Sequence, residues 1–350
     1  MAVLKHVVGI DVAMDNFTVR FGVITDSQEK RFLATATFSN EARGFRKLLA
    51  WTHKQMVEPQ APVWFVMEAT GVYFEYLAYF LVEHGGLVAV ILPNKLKHFA
   101  QTLDNKSKTD RLDAGSICQF GLERNLTPWQ PPSPQMKLLK ELTREYDTVQ
   151  EMATQVKNQL HAKQHTHKPL AETSKRLRAQ LRLFQNQLKS IESQIRSVVD
   201  DDDDLRARIA NITIAKGIGF MTVVRTVAET NGFALITNQK QIASYAGMDI
   251  VIKQSGKRQG KPALSKRGNK HLRRAVYMPA LSACRYNRPL KALYLRLVRT
   301  KANKKVALLA VARKILCLIY TLWKKNVPYD PNYQHRNIRP VSMHPIVQPT

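Results

Sequence analysis

Short apolar runs separated by polar turns dominate the first hundred residues. Two runs, residues 63–67 and 87–92, are continuously apolar, as in strands buried on both faces. Three further runs are rich in β-branched residues, and an Asp15-Asn16 turn separates the first two. Three successive strands and then strand–helix alternation predict an α/β domain with a mixed sheet. The predicted strands are residues 6–10, 17–24, 31–38, 63–67 and 87–92, and the predicted helices are residues 40–55, with Asn40 as N-cap, and 73–83.

Apolar residues recur every three or four positions across two long stretches in the middle of the chain. The first covers residues 139–160 and the second residues 177–198, with Pro169 between them. This heptad spacing predicts a helical hairpin or antiparallel coiled coil, and seams this regular often join subunits. Three prolines in residues 129–134 predict a linker. The predicted divisions are a domain over residues 1–128, a linker and coiled-coil hairpin over 129–204, a C-terminal domain over 205–330 and a tail over 331–350.

A glycine turn interrupts residues 212–229, where Gly217-Ile218-Gly219 separates two helical segments. Backbone N–H groups in such a turn can approach a phosphate at a helix N-terminus. The pattern predicts a helix-hairpin-helix that contacts the DNA backbone through Gly217 and Gly219, although a simple tight turn explains the same residues. A short helix is predicted at residues 239–245.

The charge of the chain changes this picture from a generic fold to a nucleic-acid-binding protein. The formal net charge is +27 and the pI is near 10.1, which points to a polyanionic partner. The excess is localised, because residues 251–329 contain 21 Lys and Arg but no Asp or Glu. Solvated surfaces normally mix both signs of charge, so this run predicts a phosphate-binding surface.

Cysteine usage and hydropathy favour a cytoplasmic protein. The three cysteines, Cys118, Cys284 and Cys317, are far apart and form no CxxC pair, which argues against a disulfide scaffold or zinc ribbon. Residues 1–5 lead directly into a strand, so no signal peptide is predicted. The most apolar stretch, residues 306–323, contains Arg313 and Lys314, which predicts a buried or amphipathic helix.

Four acidic residues lie where separate segments can bring them to one edge of the predicted sheet. Asp11 lies on the first strand, Glu68 ends the fourth, and Asp110 and Asp113 open a later helix with Thr109 as N-cap. Residues spaced i, i+3 share a helix face, and strand ends converge on one crevice in such folds. Oxygen ligands of this kind select Mg²⁺ or Mn²⁺, so the pattern predicts a two-metal site for phosphoryl transfer. Each acid taken alone is equally well explained as a cap or turn residue.

Two glycine-containing basic loops lie within the acid-free run. The first, residues 253–261, surrounds Ser255, and the second, residues 265–269, ends at Asn269, a predicted helix cap. Serine is a poor nucleophile without a base or a polarised target, so Ser255 read alone is a phosphate contact. The residues predicted to bind nucleic acid are Lys108, Gly217, Gly219, Lys257, Arg258, Lys266, Arg267, Arg273 and Arg274.

Two further polar clusters invite a metal interpretation. His161, His165 and His167 lie between the two long helices, but no acid or cysteine completes the set and the flanks are rich in lysine. We therefore predict a tip that faces nucleic acid. The acidic run at residues 200–204 lacks the central glycine of a calcium loop and is predicted to be a solvated hinge.

Five motifs together resemble one family. They are Gly9-Ile10-Asp11, Met67-Glu68-Ala69-Thr70-Gly71, Lys108-Thr109-Asp110-Arg111-Leu112-Asp113-Ala114, Gly217-Ile218-Gly219 and Leu272-Arg273-Arg274-Ala275-Val276-Tyr277-Met278-Pro279-Ala280. In order and spacing they resemble the DEDD transposases of the IS110 family of insertion sequences, whose better-understood members are bridge-RNA-guided recombinases. The resemblance runs from about residue 7 to residue 331.

The resemblance implies a RuvC-like, RNase H-fold N-terminal domain, an α-helical coiled-coil middle, and a mainly α C-terminal transposase domain with a helix-hairpin-helix. It places the family's acidic quartet on Asp11, Glu68, Asp110 and Asp113, as ligands of Mg²⁺ or Mn²⁺. It places the nucleophilic serine on Ser255, which would attack a DNA phosphodiester and form a covalent phosphoserine intermediate. The implied partners are donor and target double-stranded DNA and a structured non-coding guide RNA. A homo-oligomer is also implied, a dimer that becomes a tetramer in the synaptic complex, with serine and quartet supplied by different protomers.

The chain departs from the family pattern around the serine and the glycine turn. Lys216 stands where the hairpin usually has proline, and residues 249–252 replace an approach that contains proline and arginine. Gln254 precedes Ser255 where an acid can occur. These differences put the register of the serine in question, and Ser265 in the second basic loop is the alternative.

Three other functions fit parts of the sequence. A metal-dependent nuclease, such as a Holliday-junction resolvase, would use the same quartet with water as nucleophile. An actin-like kinase could begin with Gly9-Ile10-Asp11, but Ala13 stands where such phosphate loops have glycine. A non-catalytic RNA-binding module derived from a transposase would not need acids at all four positions.

Overall fold

The computed structural model describes residues 2–69, 71–103, 110–252, 254–255, 258–260, 263–300 and 303–333. The chain forms two compact units, Met1–Pro131 and Pro132–Thr350. The finer predicted boundaries, at residues 128, 204 and 330, stay predictions.

The first unit is built on a five-stranded mixed sheet with strand order β3-β2-β1-β4-β5. The β1/β2 and β2/β3 pairs are antiparallel, and the β1/β4 and β4/β5 pairs are parallel. The predicted mixed α/β domain is therefore confirmed. The strands are β1 (Val3–Val12), β2 (Asn16–Thr25), β3 (Lys30–Ser39), β4 (Val63–Glu68) and β5 (Leu87–Ile91).

Helices cover both faces of this sheet, and each face has its own apolar core. On one face Ile10 and Met67 pack with Leu48 and Leu77 from helices α1 and α2. On the other face Val7, Val66 and Ala89 pack with residues of α3 and α4. The helices are α1 (Ala42–Gln55), α2 (Glu75–Glu83), α3 (Pro93–Ala100) and α4 (Asp110–Glu123).

The second unit is mainly helical. Two long helices, α5 and α6, pack on each other, and α12 runs through the core against α10 and α11. The helices are α5 (Pro134–Gln164), α6 (Ala171–Asp200), α7 (Asp203–Thr213), α8 (Phe220–Glu229), α9 (Gln239–Tyr245), α10 (Lys270–Tyr286), α11 (Arg288–Thr300) and α12 (Lys304–Lys325). Two small two-stranded ladders pair β6 (Ile250–Val251) with β9 (Ala263–Leu264) and β7 (Gln254–Ser255) with β8 (Arg258–Gln259).

The predicted heptad seams are buried within this unit. Leu139 and Leu142 of α5 and Ile191 and Ile195 of α6 share one apolar cluster with α7 and α8. Because this contact forms inside a single chain, it does not test whether the seams also join subunits. The coiled coil and the homo-oligomer stay predictions.

The acidic run at residues 200–204 joins α6 to α7 and is exposed at four of its five residues, which agrees with the predicted solvated segment, while its role as a hinge stays a prediction. The Asp202 side chain caps α7 by accepting a hydrogen bond from the Leu205 N–H at 2.9 Å. Asp204 in the first turn pairs with Arg208 at 2.7 Å. Acidic side chains stabilise the positive end of a helix, which explains why they cluster here.

Helix α12 is long and apolar enough to cross a membrane by length and composition alone. Buried side chains occur along its length, from Ala307 to Trp323. It therefore forms the core of the second unit, and the predicted buried helix at residues 306–323 is confirmed.

Candidate active site

Asp11 and Glu68 lie side by side at the end of two parallel strands. The β1/β4 register pairs Ile10 with Met67, and Asp11 and Glu68 are the next residue on each strand. Ile10 and Met67 are fully buried on the α1/α2 face. Side chains alternate along a strand, so Asp11 and Glu68 face the opposite side, which α4 covers. Both carboxylate residues are half-buried.

Two glycine contacts fix how α4 crosses that face. A Cβ on Gly9 would stand 2.5 Å from the Ala114 carbonyl oxygen and 2.2 Å from the Cys118 nitrogen. Further along α4, a Cβ on Gly121 would stand 2.6 Å from a Val7 methyl group. The helix therefore runs opposite to β1, with its N-terminal end towards the Asp11 end of the strand.

This arrangement directs the start of α4 to the edge occupied by Asp11 and Glu68. Asp110 is the first residue of α4, and Asp113 is half-buried one turn later. The structure thus brings the backbones of all four acidic positions to one sheet edge. The Asp110 side chain, Lys108 and Thr109 lie outside the described residues, so the quartet and the Thr109 cap stay predictions.

The donor set at this edge fits a divalent cation in its chemistry. Carboxylate oxygens from β1, β4 and α4 are the hard ligands that Mg²⁺ and Mn²⁺ prefer. Among the side chains that the structure describes, no group of three His, Cys, Asp or Glu is close enough to hold a metal ion. Asp110, the fourth predicted ligand, is not among these side chains.

Cys118 packs beneath the site and is not a reactive thiol. Its side chain is fully buried, and burial raises its pKa to about 12. The thiol donates a long hydrogen bond of 3.5 Å to the Val7 carbonyl. Cys118 therefore acts as a small packing residue between α4 and the sheet.

Asn40 is a site-supporting residue that sequence reasoning misassigned. The structure makes Glu41 the N-cap of α1, with no side-chain cap, so the predicted cap at Asn40 is wrong. The Asn40 amide instead donates to the Ala13 carbonyl at 3.0 Å and the Tyr73 carbonyl at 3.1 Å. Ala13 lies two residues after Asp11, and Tyr73 follows the strand that ends at Glu68. One side chain therefore ties together the segments that leave both carboxylate strands.

In the second unit, Ser255 lies on β7 opposite Arg258 on β8. The side chains of both residues and the whole of Lys257 lie outside the described residues. Ser265 is described, and its hydroxyl accepts a hydrogen bond from the Arg267 N–H at 3.1 Å. Lys266 and Arg267 are exposed.

A buried carboxylate anchors the second basic loop. The Glu229 side chain is 2% exposed and accepts hydrogen bonds from Arg144 at 2.7 and 3.1 Å. It also accepts a bond of 2.6 Å from the Asn269 amide. Asn269 in turn caps α10, as predicted, by accepting hydrogen bonds from the His271 and Leu272 N–H groups. Helices α5, α8 and α10 are thereby joined at the base of the loop.

Burial raises the pKa of Glu229, but the hydrogen bonds from Arg144 and Asn269 outweigh it and leave the pKa below its usual range. The carboxylate is therefore held in its charged form. No local sequence signal identified Glu229, because its partners are 85 and 40 residues away.

Two arginines predicted to bind nucleic acid have protein partners. The Arg273 guanidinium donates to the carbonyls of Ala246 at 2.7 Å and Gly268 at 3.0 Å, so it pins the loop to the preceding turn. Arg274 pairs with Glu151 of α5. These contacts give both arginines a structural role beside the predicted one.

The glycine turn has one half-buried and one exposed glycine. Gly217 has a φ of +92°, and a Cβ there would stand 2.6 Å from the Ala283 nitrogen of α10. The requirement for glycine at position 217 is therefore explained by the close packing against α10 and by the positive φ. Gly219 is exposed at the N-terminus of α8 with open space around it, so a backbone contact with phosphate is sterically possible there.

Comparison with known proteins gives matches along most of the chain. A transposase family model, of the DEDD type of IS110 elements, matches residues 8–169. A second model, described as transposase IS116/IS110/IS902 family, matches residues 210–295. The pilin gene-inverting protein of Moraxella bovis is 25% identical over 335 residues, covering 93% of this chain and 98% of that protein. The Moraxella lacunata protein of the same name is 26% identical with the same coverage.

Two solved structures are also similar. T. thermophilus RuvC in complex with a Holliday junction substrate matches 36% of this chain and 100% of its own, with 15% identity and a TM-score of 0.26. The Aquifex aeolicus member of the Ppx/GppA family matches 27% of this chain and 38% of its own, with 16% identity and a TM-score of 0.21.

Proposed function

Because the chain belongs to the IS110 family of transposases, we propose that it cuts and exchanges DNA strands through a covalent phosphoserine intermediate at Ser255. The chain is a DNA transposase or recombinase, as the family models and the pilin gene-inverting relatives indicate. We further propose a serine mechanism, a divalent cation that assists it and a non-coding RNA that guides it. The convergence of Asp11, Glu68 and the start of α4 on one sheet edge supports the metal site, and the family membership supports the serine step.

The carboxylates of Asp11, Glu68, Asp110 and Asp113 would hold Mg²⁺ or Mn²⁺. A bound divalent cation would supply electrostatic stabilisation of the charge that develops on the phosphate. Asp110 and Asp113 lie in the first turn of α4, where the helix dipole favours negative charge. The five-stranded mixed sheet with its flanking helices fits a RuvC-like domain, which supports the assignment.

In the proposed step the Ser255 oxygen attacks a DNA phosphodiester. A serine Oγ–P bond forms while a P–O bond to the sugar breaks, the serine proton passes to water, and the leaving oxygen takes up a proton. A hydroxyl from another strand then attacks the same phosphorus and gives its proton to water, while the serine Oγ–P bond breaks and the serine oxygen takes up a proton. The basic residues around Ser255, including Arg258 on the paired strand, would neutralise the phosphate during both steps.

We also propose that a structured non-coding RNA selects the DNA sites by base pairing. The protein would then grip the backbone and perform the chemistry, a division found in other guided systems. The acid-free run over residues 251–329, with 21 Lys and Arg, supports contact with phosphates in general. The family resemblance supports an oligomer in which serine and quartet come from different protomers.

The competing function is a metal-dependent nuclease that uses the same carboxylates with water as nucleophile. The two mechanisms differ in whether the protein becomes attached to DNA. Wild-type protein is incubated with a suicide DNA substrate, and adducts that survive denaturation are mapped by mass spectrometry. We expect an adduct on the peptide that contains Ser255, lost in Ser255→Ala and retained in Ser265→Ala. An adduct on Ser265 would correct the register, and cleavage without any adduct would establish the nuclease.

The metal site is tested in the same assay with matched substitutions. We expect Asp11→Asn and Glu68→Gln to abolish adduct formation. Glu83→Gln, an exposed carboxylate at the end of α2, removes the same charge from the same unit and should leave adduct formation unchanged. Full activity of Asp11→Asn, or of wild type after chelation of divalent cations, would contradict the metal site.

A further inference from the structure

Charge is segregated along the α5–α6 hairpin. The distal half, residues 152–190, carries eight Lys and Arg, three His and a single acid, Glu172. The proximal half of α5 mixes both signs, with four acids and three cations: Glu141, Glu145, Asp147, Glu151, Lys137, Lys140 and Arg144. A helix pair that needed only to be soluble would mix both signs along its length. The positive charge of the distal half therefore exceeds what solubility requires and indicates an anionic partner.

Four of these cations form a stripe on α6, which we call the α6 stripe. Its members are Lys175, Arg178, Arg182 and Lys189, all exposed and spaced by three, four and seven residues. That spacing places them on one face of the helix. At about 1.5 Å rise per residue, the stripe is about 21 Å long. Within the described part of the chain, none of the four makes a salt bridge.

The stripe lies on the side of α6 that faces away from its partners. The buried positions Leu177, Ile191 and Ile195 mark the side that packs into the unit. The stripe positions are displaced from these by roughly a third of a turn at 3.6 residues per turn. The stripe face carries no apolar seam, and a second copy would bring like charges together. A protein partner identical to this chain does not fit it.

We propose that the α6 stripe is a binding surface for the phosphate backbone of duplex DNA outside the reacting site. The inference rests on the proposed function only in that DNA is the substrate class. Duplex DNA presents about one negative charge per 1.7 Å of its axis, so a straight row of cations finds a phosphate partner at each position. Residues 170–209 lie between the two segments that the family models match, so those models do not cover the stripe.

The test measures binding of full-length protein to a blunt duplex DNA of arbitrary sequence across a range of salt concentrations. In the stripe variant all four residues are replaced by glutamine. The control variant replaces Arg43, Arg46, Lys47 and Lys54 of α1, four exposed helical cations, in the same way. Both variants lose the same charge, and glutamine is a good helix former. A double variant, Lys175→Gln with Lys189→Gln, serves if the fourfold change lowers the melting temperature.

We expect the stripe variant to lower the slope of log K against log salt by up to about 3.6, from about 0.9 per phosphate contact. The control variant should change the slope by less than about 1. Equal changes in both variants, or no change in the stripe variant, would overturn the proposal. So would a loss with duplex RNA but not with DNA, or a change in oligomer mass with an unchanged slope. Because binding alone is measured, failure here leaves adduct formation at Ser255 untouched.

Discussion

Gly9 and Cys118 are in direct contact where α4 crosses β1, with the Cys118 nitrogen 2.2 Å from the place where a Gly9 Cβ would stand. No side chain fits in that gap, so α4 lies directly on the strand. This close approach is what brings the start of α4 to the end of β1 and hence to Asp11. The Gly9-Ile10-Asp11 motif therefore contains both a candidate ligand and the space that lets the other ligands reach it.

Gly9→Ala should destabilise the first unit and abolish strand transfer. The new methyl group would meet backbone atoms of α4, and overpacking of this kind typically costs about 1–3 kcal/mol. Gly115→Ala is the matched control, since Gly115 lies on the same helix with no atom within 4 Å of its Cβ position. That change should be neutral or stabilising, by up to about 1 kcal/mol. Calorimetric unfolding of both variants measures these effects. An unchanged melting temperature in Gly9→Ala would contradict the close contact between β1 and α4.

Asn40→Ala should reduce strand transfer more than it reduces stability. The Asn40 amide joins the segments that follow Asp11 and Glu68, so its loss frees both carboxylate strand ends. Both acceptor residues, Ala13 and Tyr73, are exposed, so water can replace the amide and the loss should cost only about 0.5–1.5 kcal/mol of stability. Asn40→Asp keeps the shape but not the donor and should behave like Asn40→Ala. If Asn40→Asp retained full activity, the role of the amide would be refuted.

The fold of the first unit was predictable because its signals are local. Apolar runs marked all five strands, and three hairpin-like strands before the alternation gave the mixed sheet. Asn40 shows where local reasoning fails, since an asparagine before a helix looks like a cap whether or not its amide reaches two distant carbonyls. Glu229 is the stronger case, because a single buried acid has no signature until Arg144 and Asn269 are seen to surround it.

The sequence was sufficient to predict which acidic positions form the candidate site. Asp11 and Glu68 were recognised as strand-end acids, and the register of β1 and β4 places them together. The stripe on α6 was not recognised, because the heptad of apolar residues dominated the interpretation of that helix. The cations repeat on a different face of α6 from the apolar residues. The two faces are distinguished only once Ile191 and Ile195 are seen to be buried.

Acidification should destabilise the first unit through His6. His6 is fully buried, and burial lowers its pKa below the ordinary value of 6.5, although Ala61 and Glu58 oppose this. The unfolded chain therefore binds a proton at a higher pH than the folded chain. The free energy of unfolding should fall as the pH decreases from about 7 to about 5.

The Nε2 atom of His6 also accepts a hydrogen bond from the Val57 N–H at 3.2 Å, which protonation would remove. His6→Gln should flatten the pH dependence in that window while lowering stability overall. Urea unfolding at several pH values measures this. If the free energy of unfolding fell equally with pH in wild type and His6→Gln, groups other than His6 would cause the loss of stability.

Glu229→Gln should destabilise the second unit and impair adduct formation together. The change removes the charge that Arg144 and Asn269 are arranged around, and loss of a buried, hydrogen-bonded partner costs about 1–3 kcal/mol. Arg144 is 46% exposed and remains hydrated, so the cost should stay below the roughly 3–5 kcal/mol of wholly buried pairs. Glu192→Gln removes the partner of Arg196 in an exposed pair and should cost only about 0.3–0.5 kcal/mol.

The pH dependence of the stability of Glu229→Gln shows whether Glu229 stabilises the second unit through its charge. The folded-state pKa of Glu229 lies below its ordinary value of 4.5, so its contribution to stability is fully present above 4.5 and is lost as the pH falls through the lower, folded-state pKa. Glu229→Gln should therefore differ most from wild type near neutral pH and converge with it in acid. DNA binding and adduct formation should both weaken at neutral pH, because the loop that Asn269 holds carries Lys266 and Arg267. A constant stability difference at every pH would show that Glu229 acts through packing and not through its charge.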